Sequence, residues 1–370
     1  MDEKQNILVA GAGKIGTILA SLLANSGKYI VYLADINTEP AEKKLQHLND
    51  IHFLTCDVLN HDDTTQVFKK NNITAVVSSL PFYCNMPIAK LAKAFNCHYF
   101  DLTEDVDTAI AIDILAKDAE SAFVPQCGVA PGFINIVAND LILEFDHVTE
   151  LKLRCGALPR ESSNALKYAL TWSTDGLINE YDNPCIVLKD QQVCNVPALS
   201  ELETLQIDGA NYEAFNTSGG IGSLAETYAG EINTLNYKTI RYPGHCEKMR
   251  FLMQDLKLKN DRKTLIALLE NALPYTNDDV IIVYVSAQGE KDKQSIRKSY
   301  SHKFYPTELA GIECSAIQAV TTSGACAVID TVLSSPQHYQ GRIKQENFSL
   351  TAIAKSVFSD YLELNIKGKK

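Results

Sequence analysis

Asn6-Ile7-Leu8-Val9-Ala10-Gly11-Ala12-Gly13-Lys14-Ile15-Gly16 runs from an apolar, strand-like stretch into a G-x-G-x-x-G turn, and the residues that follow carry a helical period. Alone, such a glycine pattern is a weak signal. Between a strand and a helix it is the turn that sets a pyrophosphate against a helix N-terminus. Gly11 allows the tight turn, Gly13 lets the backbone approach the phosphates, and Gly16 lets helix and strand pack closely, with Lys14 and Ile15 completing the loop.

Strand-like runs at residues 6–10, 29–34, 51–55, 75–78, 98–102 and 122–125 alternate with helical patterns at 14–26, 40–48, 62–70, 85–95 and 106–118. This alternation predicts an α/β chain whose residues 1–130 form a doubly wound parallel sheet, the Rossmann fold. Asp35 closes the second strand, 22 residues beyond Gly13. An acidic side chain there accepts hydrogen bonds from the adenine-ribose hydroxyls and repels a 2′-phosphate, so NAD is expected; Lys43 and Lys44 nearby leave NADP open. Further cofactor contacts are expected at later strand ends: Asp57 and Val58 beside the adenine, Ser79, Leu80 and Pro81 under the ribose and nicotinamide, and Gln126 and Gly128 after the sixth strand.

After Gly128-Val129-Ala130-Pro131-Gly132 the rhythm changes. Residues 133–145 read as a helix, and strand-like stretches at 150–155, 185–188, 192–196, 229–242 and 280–288 follow without βα alternation. They predict a second, α+β catalytic domain over 131–312, built on a mixed or mostly antiparallel sheet and carrying the contacts of a homodimer. A helix rich in small residues, within 313–335, is expected to pack back on the first domain, with 336–370 as a C-terminal extension. The 370 residues, 46% apolar and 21% charged, suffice for two cores, and a net charge of −11 argues against nucleic acid or a membrane surface as partner. The charged start Asp2-Glu3-Lys4 lacks the apolar core of a signal peptide, and ten cysteines stand singly without zinc-site spacing. A cytoplasmic protein with reduced thiols and no metal is expected.

Gly128-Val129-Ala130-Pro131-Gly132, Cys155-Gly156-Ala157-Leu158-Pro159, Thr171-Trp172-Ser173, Thr217-Ser218-Gly219-Gly220 and Lys238-Thr239-Ile240-Arg241-Tyr242-Pro243-Gly244-His245 resemble the saccharopine dehydrogenase family, over nearly the whole chain. Within it the sequence is similar to the bacterial saccharopine dehydrogenase-like proteins and lysine 6-dehydrogenase rather than to the fused animal enzyme. The resemblance implies a Rossmann domain, an inserted catalytic domain and oxidation of an amino-acid C–N bond by a nicotinamide cofactor. The activity it implies first is the NAD-dependent, glutamate-forming cleavage of saccharopine to aminoadipate semialdehyde in lysine metabolism. Lysine 6-dehydrogenase, which releases ammonia instead of glutamate, is the alternative, and carboxynorspermidine dehydrogenase or a non-catalytic NAD-binding protein stands behind it.

Chemistry at such a bond needs a neutral amine, a hydride acceptor and a group that moves protons. Asp101, ending the fifth strand, is a candidate to bind the amine or relay its proton, with a turn or cap role as the alternative. Tyr83, opening the helix after the fourth strand, is a candidate to face the nicotinamide. Arg241 and His245 flank a Pro-Gly turn; an Arg suits a substrate carboxylate bidentately and a His suits proton transfer near neutral pH, against an ion-pair role and a surface turn. Cys127 is either a substrate contact or a small buried hydrophobe. Asp175 stands where, by the resemblance, the fungal saccharopine reductases carry a basic residue, and it suits the ammonium of an amino acid or caps a helix. Thr217, Ser218 and Gly219 offer hydroxyls and amides for a carboxylate nest, or form a plain loop.

Overall fold

The computed structural model describes residues 4–364, so residues 1–3 of the expected first domain and 365–370 of the expected extension lie outside the described residues. Strands β1 (Gln5–Ala10), β2 (Tyr29–Asp35), β3 (Ile51–Thr55), β4 (Ala75–Ser78), β5 (His98–Asp101) and β6 (Ala122–Val124) alternate with helices α1 (Lys14–Asn25), α2 (Glu39–Leu45), α3 (His61–Lys70), α4 (Asn85–Ala94) and α5 (Val106–Ala116). All six strands are parallel, in the order β3-β2-β1-β4-β5-β6. Strand order therefore reverses between β1 and β4, and ligands of such sheets bind beyond the carboxyl ends at that point. Local chemistry sets the helix starts: Asn60 accepts from the amides of Asp62 (3.1 Å) and Asp63 (3.4 Å), and Asp105 from Thr108 (2.8 Å).

The second sheet is built from β7 (His147–Pro159), β8 (Cys185–Lys189), β9 (Gln192–Val196), β10 (Glu203–Ile207), β11 (Ala210–Asn216), β12 (Thr234–Arg241), β13 (Asp279–Lys291) and β14 (Gln294–Phe304). Its main path runs β10-β11-β12-β7-β13-β14, with β8 pairing to β12 and β9. Only β12 and β7 are parallel, so the sheet is mixed. Helices α6 (Phe133–Ile142), α7 (Thr174–Asp182), α8 (Leu224–Thr227), α9 (His245–Arg250) and α10 (Arg262–Ala272) accompany it. Leu177 and Tyr181 of α7, Met249 of α9, and Leu265 and Leu269 of α10 form one core cluster with Phe215 of β11. The short strands β15 (Thr307–Leu309) and β16 (Ile312–Cys314) pair with each other, and α11 (Ala316–Leu333), β17 (Gly341–Arg342) and α12 (Leu350–Ile353) follow.

The chain divides into two compact units: one holds the chain to Phe133, Glu308–Ile312 and Gln318 onward, the other Ile134–Thr307 and Glu313–Ile317. Residues 336–364 of the extension expected from the sequence thus belong to the first unit. β17 pairs parallel with β6 as a seventh strand of that sheet. Asp330 of α11 fastens the helix there, accepting from the Tyr29 hydroxyl (2.7 Å), the Ser356 hydroxyl (2.7 Å) and Lys28 (2.8 Å). The ten cysteines are free thiols.

Candidate functional site

In the first unit the loop after β1 has the shape its glycines predict. The Gly11 amide donates to the Ala34 carbonyl at 2.8 Å and the residue adopts φ +101°, a left-handed conformation that side chains disfavour. A Cβ on Gly16 would lie 1.8 Å from the Gly11 carbonyl oxygen, so only glycine lets the helix approach the strand this closely. Gly13 precedes α1, whose N-terminus no side chain caps, and open space surrounds the position of its missing Cβ. A helix N-terminus that no described side chain caps, beside open space at Gly13, fits a dinucleotide's pyrophosphate.

Around this loop the strand ends act as braces. The Asp35 carboxylate accepts from the amides of Ala12 (2.7 Å) and Asn37 (3.1 Å), tying the end of β2 to the glycine turn while leaving lone pairs for further donors. The Ser79 hydroxyl lies within hydrogen-bond reach of the carbonyls of Ala10 (3.1 Å) and Gly11 (3.0 Å). Leu80 is half-buried beside it, and Lys14 and Pro81 are exposed. Asp57 accepts from the Leu59 amide at 2.9 Å, whereas Val58 is buried in the core, which restricts Val58 to backbone contacts. Gln126 and Gly128 are buried, Gln126 at φ +66°.

Two expected site residues of this unit have other tasks. Asp101 is wholly buried and fully engaged, accepting from the Tyr99 hydroxyl (2.9 Å) and from the amides of Thr103 (3.0 Å) and Gln126 (2.9 Å). Burial pushes its carboxyl up, against those three donors, and it clamps the ends of β5 and β6 instead of meeting an amine. Cys127 is the small buried hydrophobe: burial raises its thiol far above the ordinary range, and its sulfur touches the Val124 carbonyl and the Gln345 amide. Tyr83 is 66% exposed, with its ring edge-on to Phe82.

The second unit gathers its polar chemistry around Arg241, which is 2% exposed. Its Nε donates to the Tyr181 hydroxyl at 2.9 Å and its Nη1 to the Ile240 carbonyl at 2.9 Å, and its guanidinium lies over the Tyr168 ring, 5.1 Å from the centroid. Among the described residues no carboxylate pairs with it and Nη2 has no hydrogen-bond partner. Glu213, opposite Arg241 in the β11–β12 register, spends its carboxylate on the amides of Gly244 (2.7 Å) and Cys246 (2.6 Å) at the start of α9. Burial opposes the guanidinium charge, yet Tyr181, Tyr168 and Glu180 around it hold it protonated.

His245 is not the neutral-pH proton carrier its residue type suggested. It is 1% exposed, and burial together with the Arg241 charge pushes its imidazole down to about 3. The ring is therefore neutral at pH 7. Nδ1 lies 2.8 Å from the Leu166 carbonyl, which can only accept, so Nδ1 carries the hydrogen and Nε2 accepts from the Tyr181 hydroxyl at 3.1 Å. A directed chain results: Arg241 donates to Tyr181, Tyr181 to His245, and His245 to the Leu166 carbonyl. Asp175, half-exposed at the first turn of α7, pairs with Arg262 at 2.7 Å. In the loop after β11, Ser218 bonds back to α7 through the Glu180 carbonyl (2.9 Å), Gly219 sits at φ +87°, and the buried Thr217 hydroxyl has no partner.

A family model described as the saccharopine dehydrogenase NADP binding domain matches residues 7–130, and one described as the saccharopine dehydrogenase C-terminal domain matches residues 128–359. The chain belongs to the saccharopine dehydrogenase family. Among its relatives, the saccharopine dehydrogenase (NADP(+), L-glutamate-forming) of Pyricularia oryzae is 24% identical over 78% of this chain and 65% of its own length. The mitochondrial alpha-aminoadipic semialdehyde synthase of Rattus norvegicus is 25% identical over 75% of this chain, which spans only 31% of that protein. The apo saccharopine dehydrogenase (L-Glu forming) of Saccharomyces cerevisiae shares the fold, with a TM-score of 0.76 over 97% of both chains at 16% identity.

Within this saccharopine dehydrogenase family chain, sequence reasoning missed Tyr168 and Tyr181. Both read as ordinary core aromatics, and the one available signal was Glu180, a charged residue on the otherwise apolar face of Leu177, Ile178 and Tyr181.

Proposed function

We propose that the chain is a nicotinamide-dependent oxidoreductase acting on the C–N bond of an amino-acid substrate, with glutamate-forming cleavage of saccharopine as its reaction and NAD as its cofactor. The observation that carries the reading is the buried Arg241 guanidinium, charged, oriented by Tyr181 and, among the described residues, in direct contact with no carboxylate. A buried cation in that state is costly unless a ligand carboxylate completes it. The unpaired Thr217 hydroxyl adds a second donor to the same unit. Saccharopine is set before lysine because it offers three carboxylates to a site built around a buried cation, and lysine only one.

The residues of the first unit fit a dinucleotide: an α1 N-terminus that no described side chain caps, open space at Gly13 and the Asp35 carboxylate at the end of β2. When bound, the dinucleotide supplies the hydride acceptor. Asp35 favours NAD, since a 2′-phosphate would meet a carboxylate held in place by two backbone amides. The test is a substrate panel: reduction of NAD and of NADP by saccharopine, by lysine and by neither. Turnover with saccharopine and NAD supports the reading; turnover with lysine alone replaces the substrate, and NADP-only turnover replaces the cofactor.

A further inference from the structure

Parallel pairing fixes the edge of the sheet at which a strand ends. β17 runs parallel to β6, with Gly341 beside Ala122 and Arg342 beside Phe123, and the Ile343 amide donates to the Phe123 carbonyl at 2.9 Å. The residues that follow β17 are therefore delivered to the carboxyl edge of the sheet, which also carries Asp35, Ser79 and Gln126. Sheets of this kind bind their ligands at that edge. A segment that reads in the sequence as an extension thus reaches the place where a dinucleotide lies.

Gln345 is the residue this pairing sets against the turn after β6. It is 3% exposed, and its side-chain NH2 donates to the Pro125 carbonyl at 2.8 Å and to the Cys127 sulfur at 3.4 Å. A carbonyl can only accept, so the nitrogen of the amide is the atom that faces Pro125. With its hydrogens spent on these two acceptors, the amide is held in one orientation. Its Oε1 is buried and has no hydrogen-bond partner among the described residues. The turn beneath is held as firmly: Asp101 accepts the Gln126 amide on its carboxylate at 2.9 Å and the Cys127 amide on its carbonyl at 2.8 Å. An acceptor left unpaired away from water is costly, and a ligand donor placed against it restores the bond.

The chemistry of that donor follows from the order of the strands. One mononucleotide half of a dinucleotide is served by β1, β2 and β3, and the other by β4, β5 and β6. Asp35 at the end of β2 marks the adenosine half, so the side of the sheet that carries Gln345 is the nicotinamide half. The nicotinamide ring bears a carboxamide, whose NH2 is a neutral donor. A neutral amide oxygen suits it, whereas a substrate ammonium calls for a carboxylate.

We propose that Gln345 is a cofactor-recognition residue supplied by the C-terminal segment, its Oε1 accepting from the carboxamide NH2 of the bound nicotinamide. The proposal rests on the dinucleotide reading above and adds to it a contact with the reacting ring.

The test is isothermal titration of the full chain with NAD, with acetylpyridine adenine dinucleotide, in which a methyl group replaces the carboxamide NH2, and with ADP-ribose, which lacks the ring. Wild type is expected to bind NAD about five-fold more tightly than the acetylpyridine analogue, the worth of one neutral hydrogen bond. Gln345→Met keeps the length of the side chain and is expected to abolish that preference, leaving the affinity for ADP-ribose unchanged. A merely loosened turn would weaken NAD and the analogue alike, so equal losses in the variant overturn the proposal. So does a preference for NAD that survives Gln345→Met. A wild type that binds NAD and the analogue equally overturns it without recourse to the variant. A wild type that binds none of these ligands overturns the dinucleotide reading, and the Gln345 contact with it.

Discussion

Replacing Tyr181 with Phe deletes one oxygen and keeps the ring against Phe215, which it meets edge-on with centroids 5.6 Å apart. In the wild type that oxygen accepts from Arg241 Nε at 2.9 Å and donates to His245 Nε2 at 3.1 Å, with all three side chains buried. The variant leaves one charged donor and one neutral acceptor unpaired away from water. A buried hydrogen bond to a charged group contributes about 1.5–3 kcal/mol and a neutral one about 1 kcal/mol, so stability should fall by about 3 kcal/mol. For a unit of this size that corresponds to a melting temperature lower by roughly 6–12 °C. The guanidinium, no longer held at Nε, should also lose about 1 kcal/mol of binding, raising the KM for the carboxylate substrate about five-fold. The assay compares KM for substrate and for dinucleotide in wild type and variant. A substrate KM unchanged beside a lowered melting temperature, or equal rises in both KM values, would refute the role of Tyr181 in orienting Arg241.

Asp101→Asn should be well tolerated, because Asn can keep one oxygen for the Thr103 and Gln126 amides and turn its NH2 to the Tyr99 oxygen, whereas Asp101→Ala should cost about 3 kcal/mol by stranding three buried donors; a loss of turnover in a stably folded Asp101→Asn protein would return the residue to the chemistry. Asp35→Ser should weaken NAD binding by about 1–3 kcal/mol and shift preference toward NADP; an unchanged NAD to NADP ratio would contradict the assignment of that strand end. The depressed His245 gives stability a defined pH dependence. Its folded value of about 3 lies below the ordinary value near 6.5, so the unfolded chain binds a proton first, and the stabilisation present above about pH 6.5 is lost as the pH falls toward 3. By pH 4 the loss should reach about 3 kcal/mol, and urea titrations of His245→Gln should lack that component of the slope.

The first unit was legible because each βα step repeats the same local signals: an apolar run of strand length, a turn, then a helical period. Strands 51–55 and 75–78 coincide with β3 and β4. β17 was not legible, since two residues, Gly341 and Arg342, carry no period. β10 and β14 were missed because exposed residues such as Thr204, Gln206, Arg297 and Ser299 interrupt their apolar positions. The site failed for a different reason. Asp101 at a strand end reads the same whether it meets a ligand or clamps backbone, and its role was decided by the Gln126 amide, 25 residues away. Asp175 met Arg262 across 87 residues and His245 met Tyr181 across 64, separations at which spacing in the sequence says nothing about contact.

The central claim, oxidation of a C–N bond with release of an amino acid, is tested most directly by incubating the purified chain with saccharopine and NAD and counting glutamate formed against NADH formed. The account predicts one glutamate for each NADH. NADH formed with ammonia in place of glutamate, or no NADH with saccharopine or any other amine, would contradict it.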